Sequence, residues 1–159
     1  MSKDKINENY KIIAQNKRAR FDYEIIEMLE VGIILTGTEL KSLRQGKGSI
    51  AESHAGEMEG GLWLFNAHIL EYTHAKHFNH DPKRPRQLLL HKKQLNRFLG
   101  AIRKKGLTIV PVVMYFNHKG RVKLQIALGR GKKNVDKRES IKERDWQRDK
   151  SRLLKNRDA

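Results

Sequence analysis

Residues 107–128 decide the fold: LTIVPVVMYF (107–116), NHKG (117–120) and RVKLQIAL (121–128). The first segment is apolar at successive positions, which is typical of a strand buried on both faces, and Pro111 predicts a bulge or break within it. The last segment alternates strictly between apolar and polar residues, and residues 117–120 supply a turn. The predicted inward positions are Val122, Leu124, Ile126 and Leu128, and the outward ones are Lys123 and Gln125. The sequence therefore predicts an antiparallel strand pair at the centre of the domain.

Two helices are predicted before this pair. From His91 to Lys105 the apolar residues recur at i, i+3, i+4 and i+7, and Gly106 is placed to end that helix. A shorter helix is expected to begin at Thr38 and to end at Gly46. The apolar positions are Leu95, Phe98, Leu99 and Ile102 in the longer helix and Leu40 and Leu43 in the shorter one. The other side of the shorter helix is basic and carries Lys41, Arg44 and Lys47.

The rest of the chain reads mainly as strands. Residues 21–29 are rich in aromatic and β-branched side chains, and Gly32 before residues 33–35 predicts a bend or bulge between two strand halves. Residues 50–54 and 62–66 are expected to pair around a glycine-containing turn, with 68–72 extending the second strand. Residues 10–20 are expected to form a short helix with a basic end. Together these elements predict a mainly β protein with short helices (α+β), built as a small antiparallel barrel.

The charge of the chain points to an anionic partner. Its 159 residues include 34 lysines and arginines and 18 aspartates and glutamates, a net charge of +16. No long apolar run and no helix with a large aromatic face is present, so nucleic acid is favoured over an anionic membrane. Cysteine is absent, which excludes disulfides and thiolate chemistry. Residues 1–9 are polar, are expected to be disordered and lack the apolar stretch of a secretory signal, which predicts a cytoplasmic protein.

The C-terminal segment 130–159 carries its own share of that charge. It contains 12 basic and 6 acidic residues, which leaves +10 on the residues before it. Asp136 with Glu139, or Ser140 with Glu143, could form a capping box, so a helix is predicted here. A helix from Lys137 would run roughly 27–30 Å and align a basic ridge on one face. Without an apolar face to bury, the segment is expected to be disordered when free, and a solvated charged helix without a role stays open.

Metal and enzyme chemistry are weakly supported. His68, His74, His77 and His80 with Asp81 are metal-ligand types, but their spacing does not fit one helical face, and a polar loop that contacts RNA is favoured. The GKGS sequence at 46–49 lacks the spacing of a phosphate-binding loop, so nucleotide hydrolysis is unsupported. No His/Glu/Cys set is spaced for a nuclease or deaminase. The sequence therefore predicts no metal, no cofactor and no enzymatic activity.

Several blocks resemble the SsrA-binding protein family, small protein B, the partner of transfer-messenger RNA. They are QNKRAR (15–20), ELKSLRQGK (39–47), DPKRPRQLLLH (81–91), GRGKKNVDKRE (129–139), IKERDW (141–146) and DK (149–150). They occur in the family's order and span about residues 12 to 156. The resemblance implies an oligonucleotide-binding-like barrel at 10–129 and a basic tail at 130–159 that is disordered when free and helical when bound.

The same resemblance implies a function in ribosome rescue by trans-translation. The barrel would bind the tRNA-like domain of transfer-messenger RNA and deliver that RNA to stalled ribosomes. The tail would probe the empty mRNA channel, contacting ribosomal RNA there and near the decoding centre. The protein would act as a monomer in a one-to-one complex with the RNA, without a membrane or a cofactor, and would make and break no covalent bond.

Candidate site residues follow from the matched blocks and from charge. The expected RNA-binding residues are Asn16, Lys17, Arg18, Arg20, Glu30, Lys41, Arg44, Lys47, Arg84, Arg86, Leu90, His91, Lys123, Lys132 and Lys133. The expected ribosome-binding residues of the tail are Asp136, Lys137, Arg138, Ile141, Lys142, Arg144, Trp146, Arg148, Lys150, Arg152 and Lys155. Two prolines beside Arg84 and Arg86 are expected to hold both guanidinium groups outward. Val135 stands where the family commonly has His or Tyr, and Phe21 stands where the family commonly has His.

Two other protein classes share the basic barrel. A structural ribosomal protein would co-purify with ribosomes stoichiometrically, and a general RNA-binding barrel protein would bind many RNAs. Sequencing the RNA that co-purifies with the chain distinguishes both of these classes from a protein that binds one particular free RNA.

Overall fold

The computed structural model describes residues 10–132. The predictions for residues 1–9 and for the tail from residue 133 onward lie outside the described residues. In chain order the elements are β1 (Lys11–Gln15), α1 (Ala19–Asp22), β2 (Tyr23–Ile33), α2 (Gly37–Arg44), β3 (Gly48–Ser49), β4 (His54–Met58), β5 (Gly61–Phe65), β6 (His68–Ile69), β7 (Arg86–Leu89), α3 (Lys92–Lys105), β8 (Thr108–Phe116) and β9 (Val122–Gly131).

Seven strands form one antiparallel sheet in the order β1-β8-β9-β2-β7-β5-β4. The strands β3 and β6 pair separately. Because β4 lies beside β8, near the opposite end of that order, the sheet curls around a single hydrophobic core. The predicted fold class, mainly antiparallel β with a few short helices, is confirmed.

The strands β8 and β9 are neighbouring interior strands of this sheet, and they form the antiparallel pair that the sequence predicted. They pair from Thr108 opposite Gly129 to Phe116 opposite Val122, and the register shifts just after Pro111, where a bulge was expected. The inward positions of β9 are buried, and Leu124 and Ile126 are fully excluded from solvent. Each of these two strands therefore has hydrogen-bonding neighbours on both sides for its backbone N–H and C=O groups, while its inward side chains fill the core.

The helix α3 also agrees with the sequence. It begins after His91 and ends at Gly106, whose φ of +63° is the left-handed conformation that glycine adopts without strain. Phe98 and Leu99 are buried from its apolar face. The 3.6-residue period of the apolar positions thus identified both the helix and its buried side.

The predicted helix at 10–20 is wrong. Residues 11–15 form β1, which pairs with the exposed edge of β8 from Lys11 opposite Phe116 to Gln15 opposite Val113. Within residues 10–22 the helix is confined to Ala19–Asp22. Ile12 and Ile13 suit a pleated surface, and pairing with a buried strand outweighed the local helical pattern.

Three boundaries also differ from the predictions. The bulge of β2 lies between Ile25 and Glu27, and Gly32 remains inside the continuous strand. The first strand of the hairpin, predicted at 50–54, is observed at His54–Met58 (β4). A turn at residues 59–60 joins it to β5, with which it pairs. Thr36 caps α2 rather than Thr38, and it forms a reciprocal capping box with Glu39.

A buried ion cluster ties α2 to β7. The carboxylate of Glu39 is fully buried, and it pairs with Arg86 Nε and with Arg84 Nη2, each at 2.5 Å. Arg86 is itself fully buried, whereas Arg84 keeps a third of its side chain exposed. The prediction that both arginines face outward is therefore wrong, because the fully buried carboxylate of Glu39 requires cationic partners and pairs with both of them.

Arg86 makes further hydrogen bonds inside the protein, whereas the Nε of Arg84 is buried without a partner among the described residues. Arg86 Nη1 donates to the carbonyl of Ala67 at 2.7 Å, and Nη2 donates to the carbonyl of Pro82 at 3.0 Å. Burial by itself would raise the pKa of the Glu39 carboxyl. Hydrogen bonds from Arg84, from the Thr36 backbone and from Arg86 outweigh that effect and hold the pKa below its usual range.

Removing the buried carboxylate should be far more costly than removing an exposed one. Glu39→Ala leaves Arg86 buried without its counter-ion and should lower the free energy of unfolding by about 3–5 kcal/mol. The matched control is Glu57→Ala, which breaks an exposed pair with Arg103 and should cost less than about 1 kcal/mol. Urea unfolding of both variants measures the two values, and equal losses would contradict the role of the cluster.

The pH dependence of that difference follows from the lowered pKa of Glu39. Because folding lowers this pKa, the stabilisation by Glu39 is present above its unfolded value of about 4.3 and is lost as pH falls through the folded value. The difference between the wild-type protein and Glu39→Ala should therefore be constant from about pH 5 to 7 and shrink below about pH 4. Urea midpoints across that range provide the measurement.

Candidate nucleic-acid interface

A half-open groove of about 320 Å³ lies where α2, β2, β7 and the start of β9 meet. Its floor is apolar and includes Leu35, Leu40 and Leu89. Three cationic side chains line it as well: Arg44 from α2, and Arg121 and Lys123 from the β8–β9 turn and β9. The structure thus brings together two of the predicted RNA-binding residues, Arg44 and Lys123, and adds Arg121.

Gly32 allows the side chain of Leu89 to pack closely against β2 in the floor of the groove. It pairs with Leu89 on one side and with Lys123 on the other. A Cβ atom at this position would lie 3.2 Å from the Cβ of Leu89, so the glycine lets that side chain lie across the strand. Leu89 is 52% exposed. An apolar floor among three cations can accept a flat base while the cations contact phosphates.

Glu30 lies on β2 next to the groove, two residues before Gly32. Its carboxylate is exposed and accepts a hydrogen bond from the hydroxyl of Tyr115, whose side chain is almost fully buried. The ring of Tyr10 stacks on that of Tyr115 with centroids 5.2 Å apart. Burial, and then the hydrogen bond to Glu30, raise the pKa of Tyr115 well above its usual range. The phenol therefore stays protonated and fixes the position of the Glu30 carboxylate.

A second basic region lies at the opposite end of β9. Lys17, Arg18 and Arg20 are exposed around α1, and the guanidinium of Arg18 lies 5.6 Å from the ring of Phe21. The backbone N–H of Lys132 donates to the carbonyl of Asp22 at 3.0 Å, which places the start of the tail beside α1. From Lys123 to Gly131 the strand spans about 26 Å.

The other predicted residues have mixed positions. Asn16 donates its side-chain amide to the carbonyl of Pro111 at 3.0 Å and so fixes the end of β1. Lys41 lies 5.5 Å from the ring of Tyr72. Leu90 packs against the core, while His91 is exposed at the start of α3 and Lys47 is half-buried. Lys133 and the predicted tail residues lie outside the described residues.

Buried Arg86 leaves the set of candidate RNA contacts, because its guanidinium is fully used inside the protein. Arg121 enters the set. The signal for Arg121 was available, since a basic residue beside a predicted turn and next to Lys123 is a phosphate-contact candidate. Its partner Arg44 is far away in sequence, so the pairing across the groove required the fold.

The histidine-rich segment does not form a metal site within the part of the chain that the structure describes. His80 is buried, and its ring nitrogens bond with the hydroxyl of Thr38 and the carbonyl of Ile69, both at 2.9 Å. His80 therefore anchors the segment to α2. Among residues 10–132, no helix is long and apolar enough to cross a bilayer.

Comparison with known proteins gives a consistent result. The family model described as SmpB protein matches residues 13–156. An SsrA-binding protein of Rhodopseudomonas palustris (strain BisB18) is 57% identical over 145 residues, covering 91% of this chain and 92% of the relative. The SsrA-binding protein of Azorhizobium caulinodans is 54% identical over 147 residues, covering 92% of each chain.

A solved structure is similar as well. It is described as "tmRNA-SmpB: a journey to the center of the bacterial ribosome" and shares 47% sequence identity with this chain. The TM-score is 0.63, and the match covers 80% of this chain and 92% of the other.

The cations of the groove should contribute to RNA affinity through phosphate contacts. Arg121→Ala and Lys123→Ala should each weaken binding to a tRNA-like RNA and reduce the slope of log affinity against log salt by about 1. Lys104→Ala, which removes an exposed lysine of α3 that does not line the groove, is the matched control and should leave the slope unchanged. Filter binding at several salt concentrations measures the slopes. Unchanged slopes in both groove variants would exclude the groove from the interface.

The raised pKa of Tyr115 predicts an effect at alkaline pH. Because folding raises this pKa, the stabilisation is fully present below the unfolded value of about 10 and is lost as pH rises toward the folded value. At pH 10–11 the unfolded protein should therefore have one more ionised tyrosine, of the four in the chain, than the folded protein. Ultraviolet titration of folded and urea-unfolded protein counts them. In Tyr115→Phe that difference should disappear, and its persistence would assign the protected phenol to another tyrosine.

Proposed function

The chain belongs to the SmpB protein family, and on that basis we propose that it is an RNA-binding protein of trans-translation. It binds the tRNA-like domain of transfer-messenger RNA and delivers that RNA to stalled ribosomes. The observation that carries the proposal is the match to the family model over residues 13–156, together with relatives named SsrA-binding protein that match over nine-tenths of their length.

The partners are transfer-messenger RNA and the ribosome, and the protein acts as a monomer in a one-to-one complex with the RNA in the cytoplasm. Residues 10–129 form the RNA-binding barrel. Its contribution is positioning rather than catalysis, since it needs only to hold one RNA in a defined orientation. Cationic side chains supply affinity through phosphates, whereas groups that touch base edges supply discrimination.

The groove supports contact with an RNA that has unpaired bases. Arg44, Arg121 and Lys123 surround an apolar floor, and Glu30 offers an acceptor next to it. An acceptor on such a basic surface would repel phosphate, but it suits the amino and imino donors of a base. Glu30 is therefore assigned to base recognition, with Tyr115 holding its carboxylate.

The second basic region supports a contact close to the start of the tail. Lys17, Arg18 and Arg20 lie around α1, and Lys132 leaves β9 beside them. The basic tail from Lys133 is assigned to ribosomal RNA in the empty mRNA channel, which mRNA would otherwise occupy. An anionic channel attracts a chain of this charge, and bound mRNA would exclude it.

A structural ribosomal protein is the alternative that the charge and the barrel would equally fit. Purification of the tagged protein followed by sequencing and quantifying the bound RNA separates the two functions. A partner of transfer-messenger RNA enriches that RNA over its cellular share, whereas a structural ribosomal protein carries ribosomal RNA at one copy per subunit. Stoichiometric ribosomal RNA without enrichment of transfer-messenger RNA would overturn the proposal.

RNA binding and ribosome rescue should be separable by truncation. Deleting residues 133–159 keeps Lys132 and its bond to Asp22, so β9 retains its end. Most affinity for transfer-messenger RNA should remain, because the preceding part of the chain keeps a strong positive charge, while tagging of stalled chains should be lost. Filter binding and a reconstituted tagging reaction measure both with one protein. Normal tagging without the tail would contradict the channel assignment, and lost RNA binding would move the tail into the RNA site.

A further inference from the structure

Phe78 is the most exposed large apolar side chain of residues 10–132, with 89% of its surface open to solvent. It lies in the loop 70–80, between β6 and β7. Single exposed apolar residues are common on protein surfaces and by themselves indicate nothing. The structure and the charge of this loop are what distinguish Phe78.

The base of the loop is fixed. Asn79 closes it with two hydrogen bonds to the backbone of Tyr72: its Oδ1 accepts from the N–H at 3.1 Å, and its Nδ2 donates to the carbonyl at 2.8 Å. The next residue, His80, is buried and bonded to Thr38 of α2. Phe78 is therefore displayed immediately before an anchored pair of residues rather than in the middle of a long free loop.

The surroundings of Phe78 are basic. Between Tyr72 and Asn79 the sequence THAKHF contains one lysine and two histidines and no carboxylate. The side chains of His74, Lys76 and His77 are all exposed. On the neighbouring helix, Lys41 lies over the ring of Tyr72 at 5.5 Å from its centroid. An apolar protein surface would pack poorly against these charged and polar side chains, whereas a polyanion with flat faces fits the two lysines and the exposed rings.

An exposed aromatic ring among basic side chains is how proteins hold unpaired nucleotides: the ring stacks on a base, and the cations contact adjacent phosphates. We propose that Phe78 stacks on an unpaired base of a bound RNA, with Lys76 as the phosphate contact beside it. The inference rests on the proposed RNA-binding function. It adds an RNA contact separate from the groove, since no residue of the loop 70–80 lines that groove.

The unpaired base can come from transfer-messenger RNA or from ribosomal RNA, and both present the same chemistry. The experiment therefore has two arms: filter binding of the full-length protein to transfer-messenger RNA, and pelleting of the protein with isolated ribosomes. Phe78→Ala should weaken binding by about fivefold to a hundredfold in the arm that supplies the base. Because the side chain of Phe78 is 89% exposed, the thermal unfolding midpoint of Phe78→Ala should match that of the wild-type protein.

Three further variants identify the kind of contact. Phe78→Trp should retain wild-type affinity, because it keeps an aromatic ring, whereas Phe78→Leu should lose affinity like the alanine variant. Lys76→Ala should reduce the salt dependence of binding, which Phe78→Ala should leave unchanged. Ile26→Ala, which removes an exposed apolar side chain on β2, is the matched control and should bind normally.

The outcomes decide between the alternatives. Wild-type affinity of Phe78→Ala in both arms would overturn the inference. Wild-type affinity of Phe78→Leu combined with weak binding of Phe78→Ala in the ribosome arm would indicate an apolar pocket on a protein and would also overturn it. If the wild-type protein fails to prefer transfer-messenger RNA to other RNAs, the proposed function fails, while the comparison of Phe78 variants on any RNA that binds still tests stacking. A wild-type protein that binds no RNA would overturn both.

Discussion

The buried carboxylate of Glu39 is the constraint on which the shape of the candidate interface depends. A charge removed from water must be paired, and both of its oxygens are, with Arg84 on one side and Arg86 on the other. The ion pair between Glu39 and Arg86 connects the first turn of α2 to the start of β7. Those two elements supply Arg44 and Leu89 to the lining of the groove, so the ion cluster helps to fix the elements that form it.

Charge is therefore used in two different ways within one basic chain. Arg84 and Arg86 neutralise an internal carboxylate and fix structure, whereas Arg121 and Lys123 line a groove that has no carboxylate among its lining residues. Sequence proximity to proline and lysine made the first two look like RNA contacts. Burial decides the case of Arg86, because a paired guanidinium inside the core is lost as a phosphate ligand.

The sequence predicted those elements whose pattern is determined by their own burial. The period of α3, the alternation in β9 and the bulge after Pro111 all survive in the structure, because each of them reflects one buried face. Tertiary pairing decided the rest. Residues 11–15 form a strand because the edge of β8 is available to them, and Arg86 is buried because Glu39 lies across from it. Neither relation is local, so neither has a signature in a short window of sequence.

The position of β9 has a mechanical consequence. This strand is hydrogen-bonded to β8 on one side and to β2 on the other, nearly along its whole length, and the tail continues directly from its end. A pull on the tail along the strand axis would load both ladders in shear, so that many hydrogen bonds resist together instead of opening one after another. The time for which the folded barrel withstands such a pull would then be set by the unfolding rate of the whole sheet. A segment attached to an edge strand such as β4 would load one ladder instead of two.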